Sequence, residues 1–161
     1  MIKYIIYLNI MSSLINNIIG FIMGNNNSIN NKINFEDIQI HLHDNNYLII
    51  NTLNTFKQEC LIEGTLQSNE EEFKINELIK KNKDINIIIY GENCNDDNVD
   101  KKYNQLLSLG FTNIYIYKGG LFEWLLLQDI YGKDEFPTTK EELDILKYKP
   151  VKIIGRKLLT Y

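Results

Sequence analysis

An apolar run near the middle of the chain, residues 85–90, has the pattern of a buried strand. A polar loop, Gly91 to Asp97, follows it, and apolar residues then recur three and four positions apart through 98–109, as on one face of a helix. Gly110 is a natural end for that helix, and residues 114–117 form a second short apolar run. This order predicts two parallel strands joined by a helix, with the loop at the carboxyl end of the first strand, where α/β proteins usually place their functional groups.

The same patterns predict further helices and strands on both sides of this crossover. In chain order they are a short helix over 35–43, a strand over 47–51, a helical turn over 55–60, a helix over 70–82, an apolar helix over 121–131 and a terminal helix over 140–147. The helix over 70–82 is expected to turn Phe73, Ile75, Leu78 and Ile79 toward the core. Thr139, with Glu142 three residues later, predicts a capping box for the terminal helix.

Composition narrows the class of protein. A chain of 161 residues is long enough for one domain with its own core, and a formal net charge of −4 argues against a general nucleic-acid binder. Cys60 and Cys94 form no CxxC pair, so neither a disulfide framework nor a structural zinc site is expected. His41 and His43 are two residues apart and would point to different faces of a helix. We therefore predict a cytoplasmic protein with no metal and no cofactor.

Residues 1–23 form an apolar leader whose polar side chains fall along one stripe of a helix. Three interpretations remain open for this segment. It can be an amphipathic helix at an interface, a membrane anchor or signal sequence, or a translated leader that the working protein lacks.

The polar linker that follows, residues 24–34, begins with a lipidation pattern. Met23 opens the string MGNNNS, which fits the pattern for N-myristoylation. Gly24 would carry the lipid if translation begins at Met23, whereas the motif would be inactive if translation begins at Met1. The alternative interpretation is a linker that fits a loose pattern by chance.

The segment 138–161 combines the predicted terminal helix with a basic tail. No acidic residue follows Asp144, and the tail carries Lys147, Lys149, Lys152, Arg156 and Lys157. One myristoyl chain gives only marginal membrane attachment, so this tail could supply the second attraction through anionic lipids. Its other interpretation is a solvated tail.

Residues 109–124, LGFTNIYIYKGGLFEW, resemble the closing segment of the rhodanese-like domain. A weaker resemblance runs from YLIIN at 47–51 to IEGT at 62–65. The resemblance implies an α/β fold with a five-stranded, mostly parallel sheet flanked by helices, and it places the rhodanese-like domain at 35–137.

Active members of that family carry a cysteine directly after the central strand, where loop N–H groups and a helix N-terminus stabilise its thiolate and persulfide. This chain has Gly91 at that position, and Cys94 lies three residues later. The other family positions also differ. The family's Asp falls on Asn51, its Arg on Thr52 or Leu53, and the His of its following turn on Leu61.

The loop is acidic where sulfur transfer would bring an anion. Its remaining residues are Glu92, Asn93, Asn95, Asp96 and Asp97, with Asp100 close behind. Carboxylates oppose an anionic substrate and disfavour a thiolate at Cys94. Asp96 or Asp97 can also cap the helix and take the N–H groups that an oxyanion would use. The loop lacks the spacing of a known Mg²⁺ or Ca²⁺ site, and it lacks the closing arginine of the cysteine phosphatases.

These features lead to two functional hypotheses. The favoured one is a catalytically inactive rhodanese-fold module that binds or scaffolds a protein partner not identifiable from the sequence, at a membrane surface if the N-terminus and the basic tail make contact with it. The alternative is a thiosulfate-type sulfurtransferase with Cys94 as the persulfide carrier. The apolar string Trp124 to Leu127 would mark a docking surface if it were left exposed.

Overall fold

The computed structural model describes residues 31–154, and this part of the chain contains four strands and four α-helices. The strands are β1 (Lys32–Ile33), β2 (Tyr47–Asn51), β3 (Asn86–Tyr90) and β4 (Ile114–Tyr117), all parallel in the order β1-β4-β3-β2. The helices are α1 (Phe35–His41), α2 (Ser68–Lys81), α3 (Asp97–Ser108) and α4 (Gly120–Tyr131), with 3₁₀ turns at Thr55–Lys57 and Ile145–Tyr148. The apolar leader, the lipidation candidate Gly24 and the last seven residues of the basic tail lie outside the described residues.

The sheet is covered on both faces, as expected for parallel strands with helical crossovers. Side chains alternate along β3, so that Ile87 and Ile89 point to one face while Ile88 and Tyr90 point to the other. Helices α2 and α3 cover the first face with Ile75, Leu78, Val99 and Leu106. Helices α1 and α4 cover the second with Ile38, Leu121, Trp124 and Leu125. Trp124 is fully buried.

The prediction of a fifth strand is wrong for residues 31–154. The segment after Cys60 makes two isolated bridges, Ile49 with Thr65 and Ile62 with Thr138, and no ladder. Between these bridges the chain turns sharply, with the Thr65 N–H donating to the Ile62 carbonyl (3.2 Å) and Gly64 at a φ of 77°. Because this turn reverses the chain after one bridging residue, the segment cannot extend into a strand.

The α-helix predicted over 140–147 is not formed either. The hydroxyl of Thr139 accepts a hydrogen bond from the Leu61 N–H (3.0 Å), and its own N–H donates to the Leu61 carbonyl (2.8 Å). Thr139 is thus paired with the core and cannot cap a helix, while the Glu142 carboxylate pairs with Lys147 (2.6 Å). The segment instead ends in the 3₁₀ turn Ile145–Tyr148, whose Tyr148 side chain is fully buried.

Two smaller predictions also differ from the structure. Phe73 lies on the outer face of α2 with 75% of its surface exposed, whereas Ile75 and Leu78 are buried. A residue two positions before Ile75 is rotated about 200° around the helix axis, so the two cannot share a face. The first strand, β1, falls inside the stretch 24–34 that was predicted to be linker.

Tyr90 ties the end of the central strand to the turn that follows Cys60. Its hydroxyl accepts a hydrogen bond from the Ile62 N–H (3.2 Å) and shares another with the hydroxyl of Thr65 (3.0 Å). The side chain is fully buried, and burial raises the pKa of Tyr90 above its usual value. Burial likewise raises the pKa of Tyr117 and of Tyr148.

We expect Tyr90→Phe to lower the free energy of unfolding by about 1–3 kcal/mol, because it leaves the buried Ile62 N–H without its acceptor. Tyr117→Phe is the matched control, since the buried Tyr117 hydroxyl makes no hydrogen bond with the described residues. Its removal should change stability by less than about 0.5 kcal/mol. Urea unfolding followed by circular dichroism measures both, and equal losses would contradict this role for Tyr90.

We also expect stability to fall as the pH rises above ~10, the usual tyrosine pKa. The unfolded chain then loses tyrosine protons that the folded chain retains, because burial raises the pKa of Tyr90, Tyr117 and Tyr148 in the folded state. The unfolded state binds fewer protons in that range, so the free energy of unfolding decreases with pH. The fall should be shallower in Tyr90→Phe, as measured by urea midpoints across the alkaline range, and an unchanged slope would count against this account.

Candidate functional site

The loop between β3 and α3, residues 91–96, is held by the first turn of α4. The Leu121 N–H donates to the Gly91 carbonyl (2.9 Å), and the Phe122 N–H donates to the Glu92 carbonyl (2.9 Å). Gly120 adopts a φ of 66°, and a Cβ built on it would lie 2.7 Å from both the Gly91 carbonyl and the Asn93 nitrogen. Glycine at position 120 therefore allows the two backbones to pack directly on each other.

The carboxylate of Asp96 lies inside this loop and binds its surroundings with both oxygens. Oδ2 accepts hydrogen bonds from the Glu92 N–H (3.1 Å) and the Thr52 hydroxyl (3.2 Å), while Oδ1 accepts from the Asn98 N–H (3.0 Å). Asp96 is thus the N-cap of α3 and an acceptor for the loop backbone at the same time. The sequence predicted a cap at Asp96 or Asp97, and the structure selects Asp96.

Gly91 is the residue at which the family resemblance would place a cysteine, and it is buried beneath this carboxylate. A Cβ built on Gly91 would overlap the Asp96 carboxyl group and would lie 2.7 Å from the Val99 Cγ2 atom. Asp96 therefore takes both the space and the hydrogen-bond donors next to the position of the family cysteine.

Neither cysteine occupies that position. Cys94 is exposed in the loop, and its thiol donates a hydrogen bond to the Asn95 side-chain oxygen (3.6 Å). Cys60 is buried, and its thiol donates to the Lys140 carbonyl (3.0 Å). Burial raises the pKa of Cys60, which makes this thiol a poor nucleophile at neutral pH.

The acidic residues of the site are partly neutralised by lysines that sequence reasoning missed. Lys57, in the turn after β2, lies 2.6 Å from the Glu92 carboxylate, and Lys118, after β4, lies 3.2 Å from that of Asp100. Asp97 is exposed in the first turn of α3. The predicted parallel topology could have indicated these lysines. The carboxyl ends of parallel strands meet at one edge of the sheet, so the segments after β2, β3 and β4 lie close together.

The carboxyl-terminal segment packs against the same loop. The Asn93 side chain donates to the Tyr148 carbonyl (2.8 Å), and the Tyr148 hydroxyl donates to the Lys57 carbonyl (3.2 Å). Val151 and Ile153, with Glu92, Asn93, Asn95 and Asp96, line an open pocket of about 320 Å³. No local sequence pattern predicts this contact, because Asn93 and Tyr148 are 55 positions apart.

The other positions where the family signature was expected have structural roles. Asn51 is buried, and its side-chain oxygen accepts a hydrogen bond from the Leu53 N–H (3.0 Å). Thr52 contacts Asp96, and Leu53 and Leu61 are core residues. These side chains stabilise the edge of the sheet and present no charged group to a substrate.

Among residues 31–154, no group of three His, Cys, Asp or Glu side chains is placed to hold a metal ion. The His41 ring stacks on Tyr47 with 3.8 Å between ring centroids. None of the described helices has the length and hydrophobicity needed to cross a bilayer.

A profile of the rhodanese-like domain matches residues 29–127. The chain belongs to the rhodanese-like domain family. This confirms the resemblance on which the fold was predicted, and the parallel sheet flanked by helices agrees with it, with four strands in the described residues in place of five. A comparison with curated proteins finds no match.

Solved structures similar to this rhodanese-like domain share its fold at low identity. The solution structure of the rhodanese-like domain of the Anabaena sp. Alr3790 protein is 19% identical, with 83% of this chain and 94% of that chain covered and a TM-score of 0.50. The BH2092 protein of Bacillus halodurans is 18% identical, with coverage of 60% and 72% and a TM-score of 0.50. The Saccharomyces cerevisiae single-domain sulfurtransferase RDL2 is 17% identical, with coverage of 62% and 92% and a TM-score of 0.45. These likenesses concern the fold alone.

We expect Asp96→Ala to lower the free energy of unfolding by about 1–3 kcal/mol, because the change removes a helix cap and leaves the Glu92 N–H without an acceptor. Asp97→Ala is the matched control in the same helical turn, and it should cost less than about 1 kcal/mol through the helix dipole alone. Urea denaturation compares the two variants. Equal costs would show that the Asp96 hydrogen bonds contribute little to stability.

Proposed function

We propose that this rhodanese-like domain is catalytically inactive and acts as a binding or scaffolding module. The observation that carries the proposal is the Asp96 carboxylate, which accepts hydrogen bonds from the N–H groups of Glu92 and Asn98 at the mouth of the loop. A carboxylate bound to these donors stands where a substrate anion or a persulfide would need them.

Sulfur transfer requires more than an accessible thiol. A thiolate attacks the outer sulfur of thiosulfate, a persulfide S–S bond forms, and the S–S bond of thiosulfate breaks to release sulfite. Cyanide then takes the outer sulfur as thiocyanate and restores the thiolate. Each step brings an anion to the loop, where Asp96 already binds the donors and Asp97 is exposed. Lys57 and Lys118 are engaged by Glu92 and Asp100, so neither is free to offset that charge.

The absence of a cysteine at Gly91 supports the same proposal. The fold surrounding the loop is nevertheless intact, because α4 holds the loop backbone and Tyr148 contacts Asn93. A domain that keeps the loop conformation without a cysteine at position 91 is suited to binding a partner through the surface of that loop. The pocket formed by the loop with Val151 and Ile153 belongs to that surface.

The alternative function is sulfur transfer through Cys94. The observation in its favour is exposure, since the Cys94 thiol is open to solvent and therefore accessible to thiosulfate. No Lys or Arg side chain pairs with this thiol in the described part of the chain, and reactive cysteines normally have such a partner.

We expect no sulfur transfer by the unmodified protein. After incubation with thiosulfate, intact-mass spectrometry should show no added sulfur atom, and subsequent cyanide should release no more thiocyanate than Cys94→Ser does. Folding is checked by circular dichroism in both samples. A gain of one sulfur that cyanide removes, and that Cys94→Ser abolishes, would replace this proposal with the sulfurtransferase alternative.

A designed variant tests why the protein is inactive. Gly91→Cys combined with Asp96→Gly places a thiol after β3 and frees the N–H groups of Glu92 and Asn98, so it should gain one sulfur from thiosulfate. Gly91→Cys alone should gain less, because the Asp96 carboxylate would overlap the new side chain and would keep the two N–H groups engaged. Equal loading of the two folded variants would show that Asp96 does not block the site.

A further inference from the structure

Exposed apolar side chains are concentrated in a short stretch that we name the carboxyl-terminal run, residues 146–154. Of the eleven large apolar residues that are exposed in the described part of the chain, four lie within it: Leu146, Val151, Ile153 and Ile154. Ile153 is 74% exposed and Ile154 is 87% exposed. A stretch this apolar and this exposed marks a contact surface.

Lysines alternate with these apolar residues. Lys149 and Lys152 are exposed, and neither has an ion-pair partner among the described residues. No acidic residue occurs from position 145 to position 154. Leu143 is not part of the run, because Glu142 and Asp144 flank it. The run therefore combines protruding apolar groups with uncompensated positive charge.

Tyr148, near the middle of the run, attaches the run to the rest of the domain. Tyr148 is fully buried, its carbonyl accepts from the Asn93 side chain (2.8 Å), and its hydroxyl donates to the Lys57 carbonyl (3.2 Å). The turn that contains Lys57 also carries Phe56, which is 74% exposed. The buried tyrosine thus fixes the segment, while its neighbours on both sides extend into solvent.

We infer that the carboxyl-terminal run is a docking surface for the anionic headgroups of a lipid bilayer. Apolar side chains that protrude can enter the boundary between headgroups and acyl chains, and lysines beside them are attracted to lipid phosphates and carboxylates. Charge complementarity favours this occupant over an apolar protein groove, which would leave Lys149 and Lys152 without counter-charges. This inference goes beyond the proposed function and does not depend on whether the loop is catalytic.

The acidic loop beside the run does not cancel this attraction. Lys57 pairs with the Glu92 carboxylate, and Lys118 pairs with that of Asp100. The Asp96 carboxylate is turned into the loop, where it accepts three hydrogen bonds. Asp97, the first residue of α3, is exposed and has no ion-pair partner among the described residues, against Lys149 and Lys152 in the run.

The test is co-sedimentation of the full, unlipidated chain with vesicles of phosphatidylcholine, with and without phosphatidylserine. We expect binding that requires phosphatidylserine and weakens with added salt. Ile153→Ser should weaken the partition coefficient about tenfold. Lys152→Gln should weaken it about fivefold, the effect of one lysine near an anionic surface.

Matched controls separate the run from the apolar leader, which is present in every sample. Ile40, on α1, is 73% exposed, and Lys80, on α2, is an exposed lysine with no ion pair among the described residues. Ile40→Ser and Lys80→Gln should bind as the unmodified protein does.

The inference is overturned if the run and control variants bind equally, or if vesicles of phosphatidylcholine alone bind the protein as well. It is also overturned if the chain does not bind vesicles, which would assign the run to a protein partner. Thiosulfate loading would overturn the proposed function and leave this result untouched.

Discussion

The hydrogen bonds of the Asp96 carboxylate determine the start of α3, the shape of the loop and the environment of Gly91. Two oxygens bind three donors that come from different places in the chain: the Thr52 hydroxyl after β2, the Glu92 N–H in the loop and the Asn98 N–H in α3. Hydrogen bonds to a charged acceptor are stronger than neutral ones, so this group can hold three elements together. The same bonds consume the donors that give such loops their affinity for anions. The conformation of the loop and the engagement of these donors therefore have one cause.

The second feature of the site is the way in which separate segments converge on the edge of the sheet. The turn after β2 supplies Lys57 to Glu92 in the loop, the turn after β4 supplies Lys118 to Asp100 in α3, and α4 supplies backbone N–H groups to the loop carbonyls. The carboxyl-terminal segment contributes Tyr148, which is buried in the core and also contacts the loop. The loop is thus supported by the turn after β2, by α4 and by the carboxyl-terminal segment.

The elements with strong local patterns could be predicted from sequence. The strands at 47–51 and 114–117 have the bounds expected from their apolar runs, and α3 and α4 begin and end within one residue of prediction. One error arises where tertiary contacts override local preference, and another where hydrophobicity was given more weight than helical periodicity. Thr139 has the spacing of a capping box, but its donor and acceptor are both engaged by Leu61, which lies far away in sequence. Phe73 was assigned to the core by hydrophobicity, although its place on the helix turns it outward.

The place of the loop at the end of β3 was predicted from sequence. The lysines that pair with its acidic residues were not. The loop after β3 and the cap at Asp96 follow from local sequence, because a polar loop between an apolar strand and a helix must cap the helix. The lysines that neutralise the loop could not be assigned, since Lys57 and Glu92 are 35 positions apart and no local pattern links them. The contact of Asn93 with Tyr148 spans 55 positions and was missed for the same reason.

Tyr148 also determines how the domain would bear a mechanical load. A pull on the chain at Ile154 would be transmitted through the exposed run to Tyr148, whose contacts lead to Asn93 in the loop and to Lys57 in the turn after β2. Neither path crosses the strand ladders of the sheet. Tension on the carboxyl end would therefore act on the loop and on the core around Tyr148, and it would reach the loop without passing through the strand ladders.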